Sequence, residues 1–221
     1  MTSVLTAPES FADVLQRIGD VPLDRILARP APGNATLDDV VRLCGGEPKR
    51  LVELVDGVLV EKVVGNQESR FAIELSFLIR QFLRSHDLGF LTGADGPHQL
   101  GASVVRLPDI AFIPWENIPK DADARTPVPD WVPSLAVEVI SAGNTRNEMQ
   151  RKLVDFFSAG VQMVWYVYQD KRLIRVYKSA ESFVTLTDGD ELDGEAILPG
   201  FRVSVRTLFD EATRLRPCQP E

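Results

Sequence analysis

The sequence predicts an α/β domain, on three observations. The run Leu135-Ala136-Val137-Glu138-Val139-Ile140 is apolar on both faces apart from one carboxylate, the pattern of a central strand covered by helices. Two segments carry helical periodicity: Phe71, Leu75, Leu78 and Phe82 recur three and four apart, and Met149, Lys152 and Phe156 share one face of a second helix. Around these lie short β-rich runs bounded by Gly, Pro, Asp and Asn.

Residues 1–50 read as an N-terminal extension without visible chemistry. It holds an amphipathic stretch around Phe11-Ala12-Asp13-Val14-Leu15, the Pro-rich Pro30-Ala31-Pro32-Gly33, and a helix capped by Thr36 or Asn34. Residues 51–210 form the expected domain, and 211–221 a C-terminal tail. A β-hairpin opens the domain, because Leu51–Val55 and Val58–Val64 flank Asp56-Gly57, two residues that tolerate positive φ. The first core helix runs from Asn66, its expected N-cap, to about Arg84, with Gly89 beyond its end. Short strands follow near Phe90-Leu91, Val104-Val105 and Asp109–Ile113, then a Pro- and Asp-rich loop from Trp115 to Pro133. After the central strand, Asn144 or Thr145 caps a helix through Phe157 that Gly160 ends. A second hairpin joins Val161–Tyr168 to Leu173–Lys178, and strands near Phe183–Leu186 and Phe201–Val205 complete the sheet.

Composition narrows the class. At 221 residues, 44% apolar and 25% charged, the chain suits one globular domain, and it has neither a signal-like N-terminus nor an apolar stretch of membrane-spanning length. A cytoplasmic protein is expected. Cys44 and Cys218 lie far apart without a Cys/His cluster, so neither zinc nor a disulfide framework is indicated. The net charge of −8 argues against a protein that coats DNA, although carboxylates that hold a cation contribute to that total. No phosphate-binding loop or dinucleotide fingerprint is present, and His86 and His98 are isolated from any serine or cysteine motif. Trp165, Tyr166 and Tyr168 sit in so apolar a strand that core or dimer-interface roles precede base stacking.

Three charges occupy settings that need a reason. Glu138 is buried by its strand, at several kcal/mol unless compensated. Asp109 heads a second strand after Pro108, and Lys152 lies on the inner face of its helix with Met149 and Phe156. The element order lets the two carboxylates converge with the lysine. Two carboxylates and the backbone carbonyl of Val139 would give a divalent cation, Mg²⁺ or Mn²⁺, hard oxygen ligands and leave room for water and a phosphate oxygen. Lys152 would position that water or stabilise charge in an in-line displacement at phosphorus. A metal-dependent nuclease follows. Glu68, on the inward face near the start of the first core helix, is a further ligand or water holder; Glu53, on the hairpin, fits structure and function equally. The alternatives are a Glu148–Lys152 surface pair, and a Glu138 satisfied by backbone N–H groups or by an arginine such as Arg106.

The stretches Arg106-Leu107-Pro108-Asp109-Ile110, Leu135 to Ser141, Arg151-Lys152-Leu153 and Ala159-Gly160-Val161 resemble the Uma-two family of putative restriction endonucleases, within the PD-(D/E)XK nuclease superfamily. The resemblance extends from Glu53-Leu54-Val55-Asp56-Gly57 to Leu198-Pro199-Gly200-Phe201 and Leu208-Phe209. It implies a restriction-endonuclease-like core, a mixed sheet with flanking helices, and Asp109 and Glu138 as metal ligands. Ile140 stands where the superfamily motif has lysine, and Lys152 on the next helix takes that role. Many members carry a histidine near the start of the first core helix, where this chain has Glu68. The implied activity is Mg-dependent endonucleolytic hydrolysis, with DNA as partner and a homodimer as assembly. The rival is a nuclease-like scaffold that no longer cleaves and serves as a homo-oligomeric or DNA-associated module.

Overall fold

The computed structural model describes residues 10–215, so residues 216–221 of the expected tail, Cys218 among them, lie outside it. Two sheets carry the molecule. The smaller has the order β2-β1-β5-β4 and is built from β1 (Val52–Val55), β2 (Val58–Glu61), β4 (His98–Gly101) and β5 (Val104–Arg106). The larger has the order β10-β9-β8-β7-β6-β3, from β3 (Gly89–Gly93), β6 (Ile110–Pro114), β7 (Leu135–Ile140), β8 (Met163–Tyr168), β9 (Leu173–Tyr177) and β10 (Phe183–Leu186). Only β7 and β8 run parallel, which makes this a mixed sheet.

Helices cover both faces of the large sheet, as the apolar run of β7 requires. Strand alternation sends Leu135, Val137 and Val139 to one side, where they meet Phe71, Leu75 and Ile79 of α3 (Asn66–Leu83) and Leu208 and Phe209 of α5 (Val205–Thr213). Phe71 and Phe209 touch with ring centroids 4.8 Å apart. Ala136 faces the other side, against Met149, Leu153 and Phe156 of α4 (Arg146–Ala159). Thr145 caps α4 by accepting the Glu148 N–H at 3.0 Å, and Gly160 ends it at φ 102°, a left-handed conformation that a Cβ would strain.

The N-terminal segment packs on the small sheet: Val14 of α1 (Phe11–Arg17) and Ile18, its C-cap, cover Val55, Val58 and Val60, while Val40 of α2 (Leu37–Cys44) covers Val52, Leu54 and Leu59. The hairpin turns at Asp56 (φ 48°) and Gly57 (φ 79°), the conformation expected of that dipeptide.

Four differences from the sequence expectation have local causes. Gly65, not Asn66, is the N-cap of α3, without a side-chain bond. Strand β4 departs from alternation through a bulge between Gln99 and Gly101. Phe201–Val205 does not join the large sheet: Arg202–Ser204 (β12) pairs only with Glu191–Asp193 (β11). Val205 already belongs to α5, a helix too short for its Leu208, Phe209, Ala212 stripe to stand out.

Candidate active site

Strand register brings the two carboxylates together. β6 and β7 are antiparallel with Ile110 opposite Val137, so one further step sets Asp109 opposite Glu138, on the same face. That face belongs to α4, and Lys152 rises from it to donate to Glu138 Oε1 at 2.8 Å. The Lys152 ammonium also lies 3.1 Å from Glu53 Oε1, on β1. Asp109, Glu138, Lys152 and Glu53 are all buried.

Each carboxylate is held differently. Asp109 Oδ2 accepts the Val139 N–H at 2.7 Å, and Oδ1 pairs with Lys62 at 2.8 Å. Lys62 also donates to the Leu107 carbonyl, which fixes it between β5 and the site. Glu53 accepts the Leu107 N–H at 3.1 Å and the Arg106 guanidinium at 2.7 Å, and Arg106 spans to Asp155 of α4 at 2.5 Å. Glu138 has one hydrogen-bond partner, Lys152, and its Oε2 takes none from the described residues. That oxygen belongs to a residue lining the small pocket formed with Lys62, Val63, Glu68, Asp109, Val139, Asn144 and Lys152.

The electrostatics separate the two buried glutamates. Burial, reinforced by the negative charges of Asp109 and Glu53, pushes the Glu138 carboxyl up to about 7 against the opposing pull of Lys152 and Lys62. Burial would raise Glu53 as well, but Lys152, Arg106 and Lys62 hold it well below the usual carboxylate range. Burial opposes charge on Lys152, yet Glu138 and Glu53 raise its pKa above the ordinary lysine value and keep it cationic.

The donor set suits a hard divalent cation. Val139 turns its N–H toward the β6 side, to Asp109, so its carbonyl points to that same edge, where β6 has already ended at Ile110. The neighbouring oxygens of Asp109 and Glu138 and this carbonyl are the ligands such an ion takes. Among the described residues no group of three or more His, Cys, Asp or Glu side chains forms a closed cation cage, so water or substrate oxygens would complete the shell.

Glu68 lines the same pocket but makes no hydrogen bond or ion pair with the described residues, its carboxylate turned back over Gly65, 2.0 Å from where a Cβ would stand. The Glu148–Lys152 surface pair does not form; Glu148 takes two bonds from Arg25, at 2.8 and 3.0 Å. Arg106 pairs with Glu53 and Asp155 and not with Glu138. Sequence reasoning missed Lys62 and Arg25. Lys62 follows Glu61 at a hairpin end that reads as solvent-facing, and Arg25 comes from the segment without visible chemistry, yet both line the pocket. His98 is buried away from this centre and bonds Thr92 at 2.8 Å, His86 stacks on Phe82, and Trp165 and Tyr166 are core residues.

A family profile described as Uma2, "Putative restriction endonuclease", matches residues 37–206, more than three quarters of the chain. The chain belongs to the Uma2 family. A crystal structure titled as a putative nuclease belonging to DUF820, from Anabaena variabilis ATCC 29413, matches with a TM-score of 0.67 over 80% of this chain and 98% of that one, at 18% identity. That likeness concerns the fold. No protein of curated function matches. Among the described residues no helix of this Uma2 chain is long and apolar enough to cross a membrane.

Proposed function

We propose that this protein is an endonuclease that hydrolyses phosphodiester bonds in DNA with Mg²⁺, or Mn²⁺, held by Asp109, Glu138 and the Val139 carbonyl. The observation that carries the reading is the Glu138 carboxylate: buried, opposite Asp109, bonded at one oxygen only and facing a pocket. A bound divalent ion would supply Lewis acidity toward a phosphate oxygen and make water a competent nucleophile near neutral pH.

The protein's own groups do the positioning. The Val139 N–H and Lys62 fix both oxygens of Asp109 in place. Lys152, held cationic by Glu138 and Glu53, orients Glu138 and places positive charge where an in-line displacement at phosphorus accumulates negative charge. Glu53 positions Lys152 and has no oxygen to spare for a ligand. Glu68, lining the pocket without a bond to the described residues, is free to hold a water.

A second reading has its own observation. Lys62 and Lys152 already neutralise Asp109 and Glu138, one lysine per carboxylate, which suits a scaffold that no longer cleaves and associates with DNA or with its own copies. Calorimetric titration of Mn²⁺ into the wild type and Glu138→Ala separates the two. Binding that the substitution abolishes supports the nuclease; no binding by the wild type, alone or with DNA present, supports the scaffold. Mg²⁺-dependent nicking of plasmid DNA, lost in Glu138→Ala, then tests the chemistry.

A further inference from the structure

The pocket around Glu138 continues along the surface. Val64, Glu68 and Asp109 line both it and a neighbouring hollow, which shares Ile73, Ser76 and Gly93 with a groove of about 950 Å³ between α3 and β3. Along α3, at about 1.5 Å per residue, Arg80 lies roughly 18 Å beyond Glu68. The groove exposes apolar side chains that a solvated helix face does not need: Ile73 is 67% exposed, Phe77 58% and Trp115 48%. Beside them stand Arg80 and Arg84, both exposed and neither paired with a carboxylate of the described residues. The groove's one acid, Asp87, already accepts the Trp115 indole N–H at 2.7 Å.

Past the other end of the site, Asn144 is shared with a cavity of about 780 Å³ that holds Arg146, Lys171, Arg175 and Tyr168. Arg175 lies over the rings of Tyr168 and Phe183, 5.0 and 4.5 Å from their centroids, and Lys171 over Tyr168 at 5.8 Å. In a chain of net charge −8, most cations among the described residues are spent on carboxylates. These five are not, and they flank the two proposed ligands on both sides.

We propose that these lobes form a track for a nucleic acid strand whose bases are unstacked, a single strand or a locally opened duplex. Arg80 and Arg84, then Arg146 and Lys171, take its phosphates, and Phe77 and Trp115 stack on its bases. This rests on the nuclease reading and narrows its substrate class. Exposed rings beside guanidiniums not paired with carboxylates are what sequence-tolerant single-strand binding uses, whereas a closed duplex offers phosphates but no base faces. A second copy of the chain on the same groove fits less well. A two-fold axis there would set Arg80 and Arg84 against their own counterparts, with Asp87 already engaged.

The test is fluorescence anisotropy of the full-length protein with a fluorescein-labelled mixed-sequence 30-nucleotide DNA, single-stranded and as duplex, in Ca²⁺ and in EDTA. Sedimentation is read on the same samples, and cleavage on the same protein and oligonucleotides with Mg²⁺ in place of Ca²⁺. The expected result is tighter binding of the single strand, weakened about tenfold in Arg80→Ala/Arg84→Ala with a salt slope smaller by about 1.4, and about tenfold in Phe77→Ala/Trp115→Ala. Arg206→Ala, an exposed unpaired cation on α5 outside both lobes, should bind as wild type. Charge reversal, Arg80→Glu/Arg84→Glu, with an unchanged melting temperature, excludes unfolding as the cause. Cleavage with unaltered binding in these variants overturns the track and leaves the nuclease reading standing. The predicted binding pattern without cleavage supports the track and overturns the nuclease reading. A dimer that the Phe77 and Arg80 substitutions dissociate overturns the track in favour of a self-association surface.

Discussion

Two groups of buried charge lie side by side beneath α4, and they are finished to different degrees. In the Glu53–Arg106–Asp155 group every carboxylate oxygen is engaged: Glu53 by the Leu107 N–H, Lys152 and Arg106, and Asp155 by Arg106 and, at its other oxygen, by Arg151 at 2.8 Å. In the Asp109–Glu138 group one oxygen is left open to a pocket, and the carboxyl that carries it is pushed up to about 7. The first arrangement is that of a brace, since a buried ion group is tolerated only when fully satisfied. The second leaves one oxygen of Glu138 without a partner among the described residues, the capacity that the proposed metal would use. Burial alone therefore does not single out a carboxylate as a candidate ligand; incomplete satisfaction by the protein does.

That contrast can be broken most forcefully at Arg106. Arg106→Ala leaves Glu53 and Asp155 buried without their shared cation and should destabilise the fold by about 3–5 kcal/mol, read by urea denaturation. A loss under 1 kcal/mol would mean the group is no brace. Lys152→Met removes the one residue common to both groups. Glu53 keeps two donors while Glu138 loses its only one, so a loss of about 2 kcal/mol is expected.

His98 provides a buried group that avoids charge altogether. Burial lowers its pKa from 6.5 to about 4, so the folded state disfavours the proton that the unfolded chain takes up below pH 6.5. Stability should then fall as pH drops from about 6.5 to about 4, by up to about 1.4 kcal/mol per pH unit from this residue. His98→Gln, which keeps a polar group near Thr92, should flatten that part of the pH–stability curve. An unchanged slope would assign the acid sensitivity elsewhere. The smallest stability effect is expected at Glu138, the proposed ligand. Glu138→Gln relieves repulsion with Asp109 as it weakens the bond from Lys152, so the melting temperature should move by less than about 1 kcal/mol equivalent while Mn²⁺ binding is lost. A large destabilisation would make Glu138 a second brace.

How much of this was legible follows from which signals are local. Glu138 declares itself because one carboxylate interrupts an apolar strand, and Lys152 because Met149 and Phe156 fix the face it shares. Both belong to a β7–α4–β8 unit in which periodicity dictates side. Lys62 and Arg25 carry no such mark: each reads as a solvated cation, and only the pairing of the hairpin with β5, and of the N-terminal segment with α4, places them at the pocket. Arg106 was visible as a cation near the site, but choosing Glu53 and Asp155 as its partners needs the relative placement of two sheets. The same limit hid α5 and β11, elements of nine and three residues whose patterns are too brief to exceed local noise.

The Asp56-Gly57 turn has a longer reach than its position suggests. Its hairpin delivers Glu53 from one strand and, just past the other, Lys62, and strand alternation means that a slip of one residue would turn Glu53 toward α2. The turn is fastened from two directions: residues 33 and 35 donate backbone N–H groups to the Gly57 carbonyl at 2.8 and 2.9 Å, and Arg151 grips Asp56 at 2.7 Å. A Cβ on Gly57 would come within 2.4 Å of the Gly33 carbonyl oxygen. The alignment of the pocket is thus indexed from its far end, like a ruler clamped at its zero mark.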